Sequence, residues 1–431
     1  MSIMDALSYD PPVQPHHKGF PDAVLGRTVS ELRGMTLPGG GSTGFGTPVL
    51  LLKEQALADN LQSMQDFCHR SGLSLAPHVK TTLSPEIISR QLGAGAWAVT
   101  VATPTQLRTL RWLGAPRVLL ANQLVDPAAI TWLGGELDRD PGFSAFCYVD
   151  SVVGISLLER TLADRGQHRP LPVLVELGVP GGRTGAREAE EVVALARQVV
   201  EAPHLSLAGV GGFEGVIDVG PDPQGLALVE SYLWRLRQVA DQLAGGYAGE
   251  VPAELMVTVG GSAFFDLVPG VFDERWQAGR AIRVVLRSGC YVTHDSAAYQ
   301  RFRSVMAHRC EPLVLTAALE LWARVLSRPE AGLALVDFGK RDTGIDAGFP
   351  VPRHVIRRGG AVGPAPMASV VELNDQHAYL RAAPPATRLD LAVGDLVGFG
   401  ISHPCTTFDK WRLIPLVDED RALTGAVRTL F

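Results

Sequence analysis

The chain of 431 residues lacks any run of basic residues, any long apolar run and any Cys-x-x-Cys pair. Lysine and arginine number 39 against 45 acidic residues, a formal net charge of −6. Without a basic patch, nucleic acid and an anionic membrane are excluded as main partners. No segment approaches the roughly 18 consecutive apolar residues of a membrane helix. The N-terminus, MSIMDALSYDPP, is acidic where a secretory signal would be basic and then apolar. The five cysteines, Cys68, Cys147, Cys290, Cys310 and Cys405, are odd in number and scattered. That fits the reduced thiols of a cytoplasm better than a disulfide framework. Only 19% of the residues are charged and 46% are apolar, enough for a large core.

What is present is a regular alternation. Strands are expected at 73–79, 97–102, 117–122, 143–149, 172–178, 205–213, 254–259 and 281–286. Between most of them lie amphipathic stretches, such as SPEIISRQLGA, TPTQLRTLRWLG and DSVVGISLLERTLADRG, with apolar residues three and four apart. Ser84 followed by Pro85, and Asp150, have the chemistry of helix N-caps. Strand then helix, about eight times in about 210 residues, is the pattern of an α/β chain folded as a (β/α)8 barrel. No G-x-G-x-x-G follows the first strand, which weighs against a doubly wound open sheet. From residue 287 helical spacing becomes rare, and runs such as GLALVDFG, ASVVELNDQHAYLRA and GDLVGFGIS alternate with turns. Three units are expected: a partly flexible N-terminal extension at 1–46, a barrel at 47–286 and a β-rich domain at 287–431. The TPVLLLK strand at 47–53 is able to join the last of these.

In a barrel, chemistry gathers where strands end. Lys80 in LAPHVKTTLSPEI stands between a strand end and a helix start. It is either a surface lysine or a reactive amine at the barrel mouth. Asn122 and Gln123 follow the third strand, Arg183 in GVPGGRTG the strand at 172–178, and Glu214 the strand at 205–213. Gly260, Gly261 and Ser262 in TVGGSAF form either a plain turn or a nest of N–H groups for a phosphate. An amine and a phosphate nest at one mouth suggest pyridoxal phosphate, which needs both. His403 and Cys405 in GISHPCTTF lie two apart and suit zinc, or are a turn histidine beside a buried cysteine. His78, two before Lys80, either flanks a cofactor or fills a barrel layer. Tyr291 and His294 are candidates for acid–base work or for interdomain packing. His377 in NDQHAYL is a turn histidine that matters only if it approaches the barrel mouth.

APHVKT, SPEI, AVTVATPTQ, LLANQLV, GGRTG, GGFEG, RSGCYVTHD and ISHPC together resemble the D-serine dehydratase and D-threonine aldolase family. These are alanine racemase-like, fold type III pyridoxal-phosphate enzymes, and the resemblance runs from about residue 47 to 415. It implies that Lys80 anchors the cofactor and acts as base on the α-proton. It implies further that Gly260, Gly261 and Ser262 bind the phosphate and that His403 and Cys405 hold zinc, which activates the β-hydroxyl of a D-β-hydroxy amino acid. His78, Arg183 and Tyr291 would line the cofactor, and Gln123, His294 and His377 would reach the substrate. A homodimer is also implied. H-x-C resembles the dehydratase branch, whereas the aldolase branch tends to H-x-D. The dehydratases often read KTHK at the lysine; here Lys80-Thr81-Thr82-Leu83 departs from that and is closer to relatives described as amino acid deaminases. The expected activity is therefore deamination of a D-β-hydroxy amino acid. Retro-aldol cleavage is the alternative, with a racemase using Tyr291, or a non-catalytic cofactor carrier, behind it.

Overall fold

The computed structural model describes residue 3 and residues 8–37, 44–249, 252–273, 276, 278–302, 313–357 and 362–431. The glycine-rich stretch at 38–43 and Cys310 lie outside the described residues. The first strand, β1 (Val49–Lys53), belongs to a mostly antiparallel sheet and precedes a parallel one. The parallel strands are β2 (Ser74–Leu75), β3 (Val99–Val101), β4 (Arg117–Gln123), β5 (Ser144–Val149), β6 (Leu171–Leu177), β7 (Leu205–Gly212), β8 (Glu254–Val259) and β9 (Ala281–Leu286). Their order is β2-β9-β8-β7-β6-β5-β4-β3. β2 is shorter than the sequence suggests, yet the chain stays extended beyond it. Trp97 N–H donates to Leu75 O at 2.7 Å, Thr100 N–H to Pro77 O at 2.9 Å, and His78 bridges to Thr100. These contacts join β2 to β3 and close the sheet into a barrel.

Local chemistry sets the connections. Ser84 Oγ accepts from Ile87 N–H at 3.5 Å, and Pro85 opens the helix Pro85–Gly93, as expected. Asp150 is not a cap. Ser151 Oγ takes Gly154 N–H at 3.2 Å and starts the helix Val152–Arg165. Asp150 turns to the barrel mouth instead, accepting from Gly185 N–H at 3.0 Å and from Gln123 Nε2 at 3.1 Å.

The two-residue period of a strand layers the barrel interior. Ala76, Leu174, Met256 and Val285 pack together inside. Two residues further along the same segments stand His78, Glu176, Thr258 and Arg287. An apolar layer is thus capped by a polar one at the end where active sites form.

The second sheet contains β10 (Leu319–Glu330), β11 (Leu333–Val336), β12 (Val351–Ile356), β13 (Val362–Pro364), β14 (Ala368–Leu373), β15 (Ala378–Ala382), β16 (Leu396–Gly400), β17 (Leu413–Val417) and β18 (Leu423–Arg428). Its main order is β13-β12-β16-β10-β1-β17-β18, with β11, β15 and β14 continuing from β10. β1 is buried on both faces. Leu50 and Leu52 join the main core, while Val49 and Leu51 meet Val13, Val24 and Leu32 of the N-terminal segment. Glu320 on β10 reaches Lys53 at 3.4 Å and His354 at 3.5 Å, tying β10 to β1 and β12. Burial would raise its carboxyl, but His354 and Lys53 outweigh burial and hold it at about 2. Among the described residues no helix is long and apolar enough to cross a membrane.

Candidate active site

Loops at the C-terminal ends of the barrel strands meet the turn after β16 around a cavity of about 370 Å³. From the barrel come His78, Lys80, Thr81, Tyr148, Glu176, Arg183 and Arg287; from the turn come His403, Cys405 and Thr406. Lys80 sits in a single helical turn, Val79–Thr81, directly after the β2 segment, and its side chain is exposed towards the cavity. His78 stays uncharged: burial lowers its pKa well below the ordinary value, and the Lys80 and Arg287 cations add to this. Its Nδ1, the Tyr148 hydroxyl and Gln123 Oε1 are buried without a hydrogen-bond partner. Arg287 is pinned by donating to Thr258 Oγ1 at 2.7 Å and to Gly212 O at 2.6 Å. Arg183 lies over the Phe213 ring at 5.4 Å.

The turn after β8 is an anion nest with an occupant from the chain itself. Glu214, fully buried, accepts from Gly260 N–H at 3.1 Å and from Gly261 N–H. The two N–H groups expected for a phosphate are thus engaged by a carboxylate. Ser262 stands differently: its Oγ accepts from Cys290 N–H at 3.1 Å and Gly289 N–H at 3.4 Å, beside the cavity. Gly289 is needed for this approach, because a Cβ there would stand 2.4 Å from His78 O and 2.6 Å from Thr81 Oγ1. Gly289→Val is expected to push the 287–290 segment off the barrel mouth and cost about 1–3 kcal/mol in urea denaturation.

His403 and Cys405 are not alone. Cys290 Sγ lies 3.4 Å from Cys405 Sγ, and donor atoms of Cys290, His403 and Cys405 all fall within 4.8 Å of one another. His403 Nδ1 is bound to Asp346 Oδ2 at 2.6 Å, which leaves Nε2 for the cluster. Asp346 is held in turn by Thr406 Oγ1 at 2.5 Å. Burial works against the charged imidazole, but Cys290 and Asp346 prevail and push His403 up to about 9. The Cys405 thiol is lowered by its hydrogen bond with Cys290, against burial, with help from Thr81 and Lys80.

Several expected residues stand elsewhere. Tyr291 is core: its hydroxyl accepts from Gln91 Nε2 at 3.2 Å. His294 is buried with a φ of 46°, its Nδ1 turned onto the backbone of Asp295. His377 is exposed in the turn between β14 and β15. Gln123 is outside the cavity lining and acts through Glu176, to which its Nε2 donates at 2.6 Å. Conversely, Cys290, Tyr299, Tyr148, Glu176 and Arg287 line the cavity and were not read from the sequence as site residues.

Two family models match the chain. Residues 52–265 match the N-terminal domain of alanine racemase, and residues 318–417 match the putative serine dehydratase domain. A D-threonine aldolase from Arthrobacter sp is 27% identical over 395 residues, 88% of this chain and 92% of that protein. The chain belongs to the D-serine dehydratase and D-threonine aldolase family of fold type III pyridoxal-phosphate enzymes. A 3-hydroxy-D-aspartate aldolase from Paracoccus denitrificans (strain Pd 1222) is 27% identical over 322 residues, 73% of this chain and 77% of that protein. The crystal structure of D-threo-3-hydroxyaspartate dehydratase from Delftia sp. HT23 shares the fold with a TM-score of 0.71, at 20% identity, over 90% of this chain and 98% of that one. The first family match falls on the barrel and the second on the sheet of the C-terminal part.

Proposed function

We propose that this enzyme is a pyridoxal-phosphate- and zinc-dependent lyase that converts D-β-hydroxy amino acids, of the D-serine kind, to a 2-keto acid and ammonia. One observation carries the reading: Lys80 and the His403–Cys405 pair share a single cavity. An amine and a metal-binding pair there address the two atoms on which elimination acts, Cα and the β-oxygen.

The chain's residues fit both groups. Bare buried polar atoms on His78 and Tyr148 border the cavity and call for a polar ligand. Ser262 Oγ, beside the cavity and with its own hydroxyl proton to donate, suits the phosphate, and the Gly260–Gly261 turn, kept in shape by Glu214, supports Ser262. Among the described residues the Arg183 guanidinium makes no hydrogen bond, so it can take an oxygen of the phosphate or of the substrate carboxylate. A soft thiolate with an imidazole suits zinc, and the Asp346–His403 bond is the usual orienting partner of a metal-bound histidine.

When bound, the cofactor supplies an electron sink at Cα and the metal a Lewis acid at the β-oxygen. Lys80 Nζ would anchor the cofactor and would serve as the base that takes the proton from Cα. His403, held by Asp346, and Cys405 fix the side from which the hydroxyl leaves. Loss of that proton and the hydroxyl removes one water. Hydrolysis of the released enamine consumes one water and frees ammonia, so the net products are keto acid and ammonia.

The aldolase relatives favour a second reading, retro-aldol cleavage to glycine and an aldehyde. It needs a base at the hydroxyl proton rather than at Cα. Cys405 in H-x-C weighs for elimination. Racemisation loses its candidate second base, since Tyr291 packs in the core. A mixture of D- and L-serine, with both cofactors supplied, is expected to lose only the D form as ammonia appears. No ammonia from D-serine, D-threonine or D-3-phenylserine would overturn the proposal.

A further inference from the structure

We infer that Cys290 is a third protein ligand of the metal, making a shell of two cysteines and one histidine with a single open position. This rests on the zinc reading above and goes beyond it, because that reading needs only His403 and Cys405.

The argument is geometric. Zinc–sulfur bonds of about 2.3 Å at a tetrahedral ion place two sulfurs about 3.8 Å apart. The Cys290 and Cys405 sulfurs are 3.4 Å apart, so a shift of a few tenths of an ångström seats both on one ion. A sulfur outside the shell would instead face the ion as a bystander, yet all three donors already lie within 4.8 Å of one another. Cys290 cannot retreat easily. It is 4% exposed, follows β9 in a helical turn, and its N–H is tied to Ser262. Gly289 is what lets this segment lie so close to His78 and Thr81.

The partners come from different sheets: Cys290 from the barrel, His403 and Cys405 from the turn after β16. A bound ion would therefore clamp the two together across the cavity. It would also set the substrate's mode of approach. Three protein donors on a four-coordinate ion leave room for one oxygen, the β-hydroxyl. The substrate carboxylate must then be held by another group, and Arg183 on the same wall has the capacity. Two thiolates also cancel the formal charge of a divalent zinc, which one thiolate does not.

The test is cobalt(II) titration of the metal-stripped full chain under a thiol-free reductant, read by the near-ultraviolet sulfur-to-cobalt band and by equilibrium affinity. The wild type is expected to bind one ion per chain with the band intensity of two thiolates. Cys290→Ser is expected to keep one ion at about half that intensity and to bind it at least about 10-fold more weakly. Cys290→Ala serves as a second variant, and thermal melting reports that each is folded. Unchanged intensity and affinity in folded Cys290 variants would overturn the inference while leaving a metal on His403 and Cys405. A wild type with no cobalt band would overturn the zinc reading itself.

Discussion

Lys80→Ala is expected to lower ammonia release from D-serine by about 10³-fold or more and to abolish the visible absorption of lysine-bound cofactor. On the proposed function one atom, Nζ, has two tasks, so its loss would remove covalent anchoring and the Cα base together. The effect should be chemical and not structural. Lys80 is exposed to the cavity, in a turn whose backbone bonds do not use its side chain. The variant should therefore unfold in urea within about 0.5 kcal/mol of the wild type. A variant that kept the lysine-bound absorption would show that another amine holds the cofactor.

The second large effect is expected at the metal. His403→Ala, or chelation of the wild type, should reduce turnover by about 10²–10³-fold, the scale of losing a preorganised electrostatic contact. The absorption that depends on Lys80 should survive both treatments, because the lysine is not one of the metal donors. Restoring zinc should rescue the chelated wild type and not the variant. Full activity after metal removal would contradict the zinc role and leave His403 as a proton-transfer or packing residue.

The two effects differ in how readable they were. Lys80 stood out because a strongly hydrated cation between a strand and a helix start needs a reason, and barrel logic provides one. Strands β8 and β9 were legible to the residue, since their β-branched runs end sharply. β2 and β3 were not: they are pinned by the His78–Thr100 bridge and by strand-to-strand bonds that no local pattern records. Asp150 was misplaced because its carboxylate has a better use at the barrel mouth than at a helix start, where Ser151 serves equally well.

Cys290 was missed for a different reason. It lies 115 positions from Cys405, and ligand spacing detects only donors on one segment. The segment itself was legible, since RSGCYVTHD follows the last barrel strand and so stands at the mouth, but nothing in it marked the cysteine as a ligand. Tyr148 and Glu176 looked like strand residues and nothing more, and Arg287 was legible only as the first residue after the last barrel strand. Their role appears once the barrel is layered, one period of two above the apolar filling or within its top. Tyr291 and His294 show the reverse error, since closeness in sequence to that mouth did not put either side chain in the cavity.

The account's central claim is elimination at a D-β-hydroxy amino acid, and the most direct measurement is product identity. The enzyme, supplied with pyridoxal phosphate and zinc, is offered D-serine, D-threonine and D-3-phenylserine in turn, and the products are resolved by mass. Equimolar 2-keto acid and ammonia is the predicted result. Glycine with an aldehyde would contradict it and place this chain with the retro-aldol members of its family.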